Sequence, residues 1–148
     1  MTKGLSNKSG IAQMNVNKSV DTNSLLSSKK LGATSDNSCE TIGTVNIDLI
    51  TIDDFCYKNR INQIDILKID VQGSELKVLQ GAKKMLSKNA IKLVYTESYF
   101  TQQYNEQPLF HEIASFLYDH GFTLQDIYDP YYNAKSILWC DSIFLLKE

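Results

Sequence analysis

The sequence predicts an α/β fold with a parallel βαβ core and a C-terminal antiparallel hairpin. Three observations predict it. Between Gln63 and Leu86 the apolar spacing changes period. Ile64, Ile66, Leu67, Ile69 and Val71 form a short strand-like run, and then Leu76, Leu79, Ala82 and Leu86 recur at three and four residues, as on one face of a helix. A second buried-type run, Ala90 to Glu97, follows that helix, so strand, helix and strand make one crossover unit. Lastly, two β-rich runs, Phe122 to Tyr128 and Ile137 to Leu146, flank the turn-rich Asp129-Pro130-Tyr131-Tyr132-Asn133-Ala134-Lys135.

The elements follow in order. Residues 1–40 are set apart as a polar, partly flexible N-terminal segment, because eighteen of them are Ser, Asn or Lys. Within that segment, Gly10 to Val16 alternates as a half-exposed strand does, so ordered β structure is expected at 11–16, and Leu25-Leu26 could dock on a core. Residues 41–148 carry the folded domain. Thr41 to Leu49 reads as a strand. Thr51-Ile52-Asp53-Asp54 fits a capping signature for a short helix running to about Lys58, with Asp53 and Asp54 complementing its positive end rather than doing chemistry. Gly73 breaks the central strand, Ser74 is placed as the N-cap, and one helix is expected over about 75–87. Ser98 to Gln107 is a polar loop dotted with Tyr99, Phe100 and Tyr104. Pro108 suits the first turn of a helix with its apolar stripe at Leu109, Ile113, Phe116 and Leu117, ending at Gly121.

Composition narrows the function classes. A net charge of −2 and a pI near 5.7 give no electrostatic case for nucleic acid or an acidic membrane surface. Cys39, Cys56 and Cys140 are odd in number, widely spaced and without a C-x-x-C pair, which fits packing residues in a reducing compartment. His111 and His120 lie nine residues apart on one helix and turn to different azimuths, so no metal site is expected. Met1 is followed by no apolar leader and no run is long enough to span a bilayer, so a cytoplasmic protein is expected.

Chemistry is expected at the carboxyl ends of the parallel strands, where ligands of open α/β sheets bind. The two adjacent strands ending at Asp70 and Glu97 would present both carboxyl groups to one crevice. Gln72, Gly73 and Glu75 form the acidic turn beside them, as turn residues or substrate contacts.

The segment Ile64 to Ala82, centred on Leu67-Lys68-Ile69-Asp70-Val71-Gln72-Gly73-Ser74-Glu75-Leu76 and followed by Leu79-Gln80-Gly81-Ala82, resembles the FkbM-type methyltransferases. Thr51-Ile52-Asp53-Asp54-Phe55 and Tyr95-Thr96-Glu97 fall where that family has similar residues. The resemblance implies part of a Rossmann-like methyltransferase sheet. It also implies transfer of a methyl group from S-adenosylmethionine, usually to a hydroxyl oxygen of a small molecule or glycan. In such a site Asp70 would accept the acceptor's proton or orient it, with Glu97 as the second carboxylate and Glu75 holding the turn.

Family members begin with a strand, a Gly-rich loop and a helix that hold the cofactor. The glycines here, at 4, 10, 32, 43, 73, 81 and 121, build no G-x-G loop. The chain alone is therefore expected to bind S-adenosylmethionine weakly or not at all, and a partner chain could supply the missing strands. The alternative is a non-catalytic remnant or interaction module with an open sheet edge.

Overall fold

The computed structural model describes residues 3–29 and 37–147. It is α/β with two sheets. Strands β1 (Gly4–Leu5), β2 (Gly10–Asn17) and β3 (Thr41–Ile50) form one, in the order β1-β3-β2. Strands β4 (Ile64–Ile69), β5 (Ile91–Tyr99), β6 (Phe122–Tyr132) and β7 (Ile137–Leu146) form the other, in the order β4-β5-β7-β6. The alternation at 11–16 does become a strand: β2 pairs antiparallel with β3 from Gly10 opposite Leu49 to Asn17 opposite Thr41. The part of the polar N-terminal segment at 30–36 lies outside the described residues.

Strands β4 and β5 are parallel, with Leu67 opposite Val94 and Ile69 opposite Thr96. The chain between them is helical, as the period switch predicts. It is two helices rather than one, α2 (Glu75–Gln80) and α3 (Lys83–Ser87). The break has two causes. A Cβ at Gly81 would collide with the Ser6 carbonyl oxygen, so only glycine lets the residue after β1 pack there. Beyond it, Asp53 accepts hydrogen bonds from the amides of Lys84 at 2.9 Å and Met85 at 3.0 Å. Those are orphan donors of the first turn of α3, capped from outside. Asp53 therefore serves another helix than its own, α1 (Ile52–Asn59), whose N-cap is Thr51 accepting from the Asp54 amide at 2.9 Å.

Other expectations are corrected in the same way. Ser74 occupies the N-cap position of α2 but makes no capping bond; its hydroxyl is buried without a partner. Helix α4 (Phe110–Asp119) starts two residues after Pro108, with the Glu112 carboxylate accepting from the Leu109 amide at 2.8 Å. His120 caps the other end of α4, its Nδ1 2.7 Å from the Phe116 carbonyl, and His111 is exposed. The hairpin of β6 and β7 is antiparallel as expected. β6, however, continues through Pro130 to Tyr132, because a register shift between Tyr128 and Tyr131 absorbs the proline, and Asp129 takes the left-handed φ of 45°. The turn shrinks to Asn133–Ser136, where Asn133 Oδ1 accepts from two amides at 2.8 Å.

Cross-strand partners share a face of a sheet, and side chains alternate along each strand. One face of the four-stranded sheet therefore carries Leu67, Ile69, Val94 and Phe144. These join Val78, Leu79, Leu86, Ile113 and Leu117 of the helices in a single core. The opposite face carries Ile66, Lys68, Tyr95, Glu97, Tyr99, Asp141 and Trp139. Among the described residues β4 pairs only with β5, so it is an edge strand with Ile66 65% exposed, and not the buried strand its apolar run implies.

Candidate active site

The five residues singled out from sequence lie together at the C-terminal end of β4. The chain there cannot continue as a strand: Gln72 has φ 51° and Gly73 φ 95°. A left-handed non-glycine residue is uncommon and needs support from its surroundings. The Gln72 carbonyl accepts from Ser24 Oγ at 2.6 Å. On the far side of the turn, Glu75 Oε1 accepts from the amides of Gly73 at 3.0 Å and Val71 at 3.2 Å. Glu75 is fully buried and among the described residues its Oε2 has no hydrogen-bond partner; burial pushes its carboxyl above the usual range, against the pull of those amides. Its place is structural. It closes the turn.

Asp70 and Glu97 do share one crevice. The Gln72 side-chain Nε2 donates to Asp70 Oδ1 at 3.0 Å and to Glu97 Oε2 at 3.1 Å. Asp70 keeps 47% of its side chain exposed and has Lys68 Nζ 3.6 Å from Oδ2. Glu97 is more enclosed. It does not end its strand, since β5 runs on to Tyr99, whose hydroxyl donates to Glu97 Oε2 at 2.6 Å. Burial raises the Glu97 carboxyl to about 7; the Tyr99 bond opposes this, and the negative charges of Asp70, Glu75 and Asp141 add to it. The same pairing and burial push the Tyr99 phenol strongly upward.

Three contributors were not foreseen. Tyr104 lies fully buried in the loop before α4 and donates its hydroxyl to Gln72 Oε1 at 3.0 Å. Ser24 reaches the Gln72 carbonyl from the polar N-terminal segment. Asp141 faces Glu97 from β7 and accepts the Tyr95 hydroxyl, which holds that phenol up at about 12. Tyr99, expected in the loop after the strand, lies instead on β5 two positions after Glu97, so the two face the same way. Tyr104 and Ser24 carry no such local signal.

Two hollows elsewhere, one over α1 and α3 and one beside α2, include neither Asp70 nor Glu97. No group of His, Cys, Asp and Glu suited to a metal ion occurs among the described residues.

Residues 1–124 match the methyltransferase FkbM domain. The chain belongs to that family. It is also 32% identical over 68 residues to the 2-O-methyltransferase NoeI of Sinorhizobium fredii (strain NBRC 101917 / NGR234). That match covers 46% of this chain and 25% of the relative, so the chain spans about a quarter of the relative's length. No solved structure matches it. Among the described residues no helix is long and apolar enough to cross a membrane.

Among the described residues, the glycine turn between a strand and a helix where a cofactor would meet the protein is that of Gly73. The turn does not fit an anionic ligand. Its Val71 and Gly73 amides already donate to Glu75, and a Cβ at Gly73 would stand 3.2 Å from both Leu26 and Tyr104 side chains. The N-terminus of α2 is thus filled by the protein's own carboxylate and roofed by its own side chains.

Proposed function

We propose that this chain supplies the acceptor side of S-adenosylmethionine-dependent O-methyl transfer to a hydroxyl of a small molecule or glycan. The observation that carries the reading is the pair of carboxylates held by Gln72 on the open face of the sheet, in a member of a methyltransferase family. Methyl transfer asks the protein chiefly to align the acceptor, and a hydroxyl acceptor gains from a carboxylate that takes its proton. Asp70 is the more exposed of the two and takes the hydroxyl. Glu97, with a carboxyl near 7, is suited to exchange a proton close to neutral pH. The stacked rings of Tyr131 and Trp139, 5.3 Å apart, continue the same face one cross-strand pair beyond Glu97 and offer a flat platform for the acceptor.

The cofactor's contacts are assigned to strands that would extend the sheet from the free edge of β4, in a Rossmann-like arrangement. The printed activity of NoeI, 2-O-methyl transfer, supports a hydroxyl acceptor. The same free edge and the filled Gly73 turn favour a second reading, a non-catalytic interaction module.

Turnover itself separates the two, and in a form of the protein that turns over Asp70→Asn tests the role given to Asp70. The first reading expects turnover to fall by roughly 10²–10⁴-fold with cofactor affinity little changed. Unchanged turnover with a lowered melting temperature would show Asp70 to be structural.

A further inference from the structure

Gln72 does more at this site than shape a turn. The two hydrogens of its amide nitrogen go in two directions, one to Asp70 at 3.0 Å and one to Glu97 at 3.1 Å. The orientation of the amide follows from its neighbours. Turned over, it would set its carbonyl oxygen against two carboxyl groups; as placed, that oxygen accepts from the Tyr104 hydroxyl at 3.0 Å. Nor can the side chain swing away freely. Its backbone is left-handed, its carbonyl is held by Ser24 at 2.6 Å, and the next amide is held by Glu75 at 3.0 Å.

We propose that Gln72 is a positioning residue that holds Glu97 beside Asp70 and, through its amide N–H, favours the ionised form of Glu97. The inference rests on the methyl-transfer reading for its use in catalysis, but not for its existence. The groups facing Glu97 explain why the amide matters. From β7 comes Asp141, from α2 Glu75, from β5 Tyr99, from the loop before α4 Tyr104, and beyond β4 Asp70, while Cys140 lies on the other face of β7. The cation in the cluster, Lys68, sits on the Asp70 side at 3.6 Å. Glu97 is therefore ringed by acidic or neutral groups, and among the described residues its hydrogen-bond donors are Tyr99 and Gln72. When Glu97 is ionised it takes one N–H of Gln72; when it gains a proton it accepts more weakly, so the amide favours the charged form.

The test is a carboxyl-carbon NMR titration of the chain, which needs neither substrate nor turnover. The wild type should show the Glu97 carbon titrating near 7. Gln72→Leu removes both donors and should raise the Glu97 midpoint by about one pKa unit, as loss of one hydrogen bond to a charged group does. Gln72→Gly should do the same while relieving the left-handed backbone, and so serves if the leucine variant does not fold. A Glu97 midpoint that stays put in Gln72→Gly, with only the melting temperature changed, overturns the proposal and leaves Gln72 a turn residue. A raised Glu97 midpoint in a protein that never transfers methyl groups would uphold the positioning role of Gln72 and sink the functional reading instead.

Discussion

Glu97→Gln replaces a carboxyl that burial makes costly to ionise with a neutral group of the same shape. The amide oxygen still accepts from Tyr99 and Gln72, so the contacts stay and the titration goes. In the folded chain the carboxyl titrates at about 7, against 4.5 for the free side chain. Between those values the folded protein holds a proton that the unfolded chain has released. Its contribution to stability is thus full below about pH 4.5 and is lost as the pH rises through about 7. At 1.36 kcal/mol per unit, the loss amounts to about 3 kcal/mol. The substituted protein escapes it. The two proteins should therefore unfold alike near pH 4.5, and the variant should gain on the wild type up to about pH 8. For a chain of this size the gain corresponds to roughly 6–12 °C in melting temperature. Thermal unfolding of both proteins across that range is the assay. A difference that does not change with pH would mean that Glu97 is an ordinary surface carboxylate, and would remove the basis for its proposed proton exchange.

The remaining predictions concern packing and binding. Asp53→Ala should cost about 0.5–2 kcal/mol, as cap losses do, and should speed hydrogen exchange at the Lys84 and Met85 amides, with the helix α1 amides unaffected. Gly81→Ala should cost about 1–3 kcal/mol, because the new methyl group meets the Ser6 carbonyl; denaturant unfolding with an unchanged slope would measure it. Calorimetric titration of the isolated chain with S-adenosylmethionine should show weak binding or none, since the cofactor's contacts are assigned to strands beyond the free edge of β4. Micromolar affinity would contradict that assignment.

How much of this was legible in the sequence depended on the range of the interaction. The strand–turn–helix at Ile64–Leu79 was readable because its signal is a change of period within a few residues. Thr51 as an N-cap was readable for the same reason. The break between α2 and α3 was not, since an isolated glycine is tolerated in a helical pattern, and the cap comes from Asp53, thirty-one residues before Lys84. The apolar run of β4 reads as buried on both sides, yet an edge strand and a central one differ in their neighbours and not in their own residues; Ile66 is exposed for want of one. In β6, Pro130 argued for a turn, and the register shift that admits it depends on β7. Asp70 and Glu97 were found because both lie near the ends of parallel strands. What joins them was not found. Tyr104 is thirty-two residues from Gln72, and Ser24 forty-eight.

The least legible part of the chain turns out to hold the site's shape. Composition marks the first forty residues as a polar, partly flexible segment, and the loop at 23–29 belongs to it. Leu26 docks over Gly73, as the Leu25-Leu26 pair allowed, and beyond that expectation Ser24 holds the Gln72 carbonyl and Ser28 forms a β-bridge with Tyr104. The Tyr104 hydroxyl also lies 3.2 Å from the Thr22 carbonyl, an alternative acceptor for its single proton. A left-handed glutamine is unfavourable by itself, and the contacts that offset it come from this segment and from the loop before α4. The turn, the loop and the polar segment must therefore order together. Removing the segment would free the Gln72 backbone, leave Tyr104 without its neighbours and loosen the amide from both carboxyl groups, although no residue of the pair itself had changed.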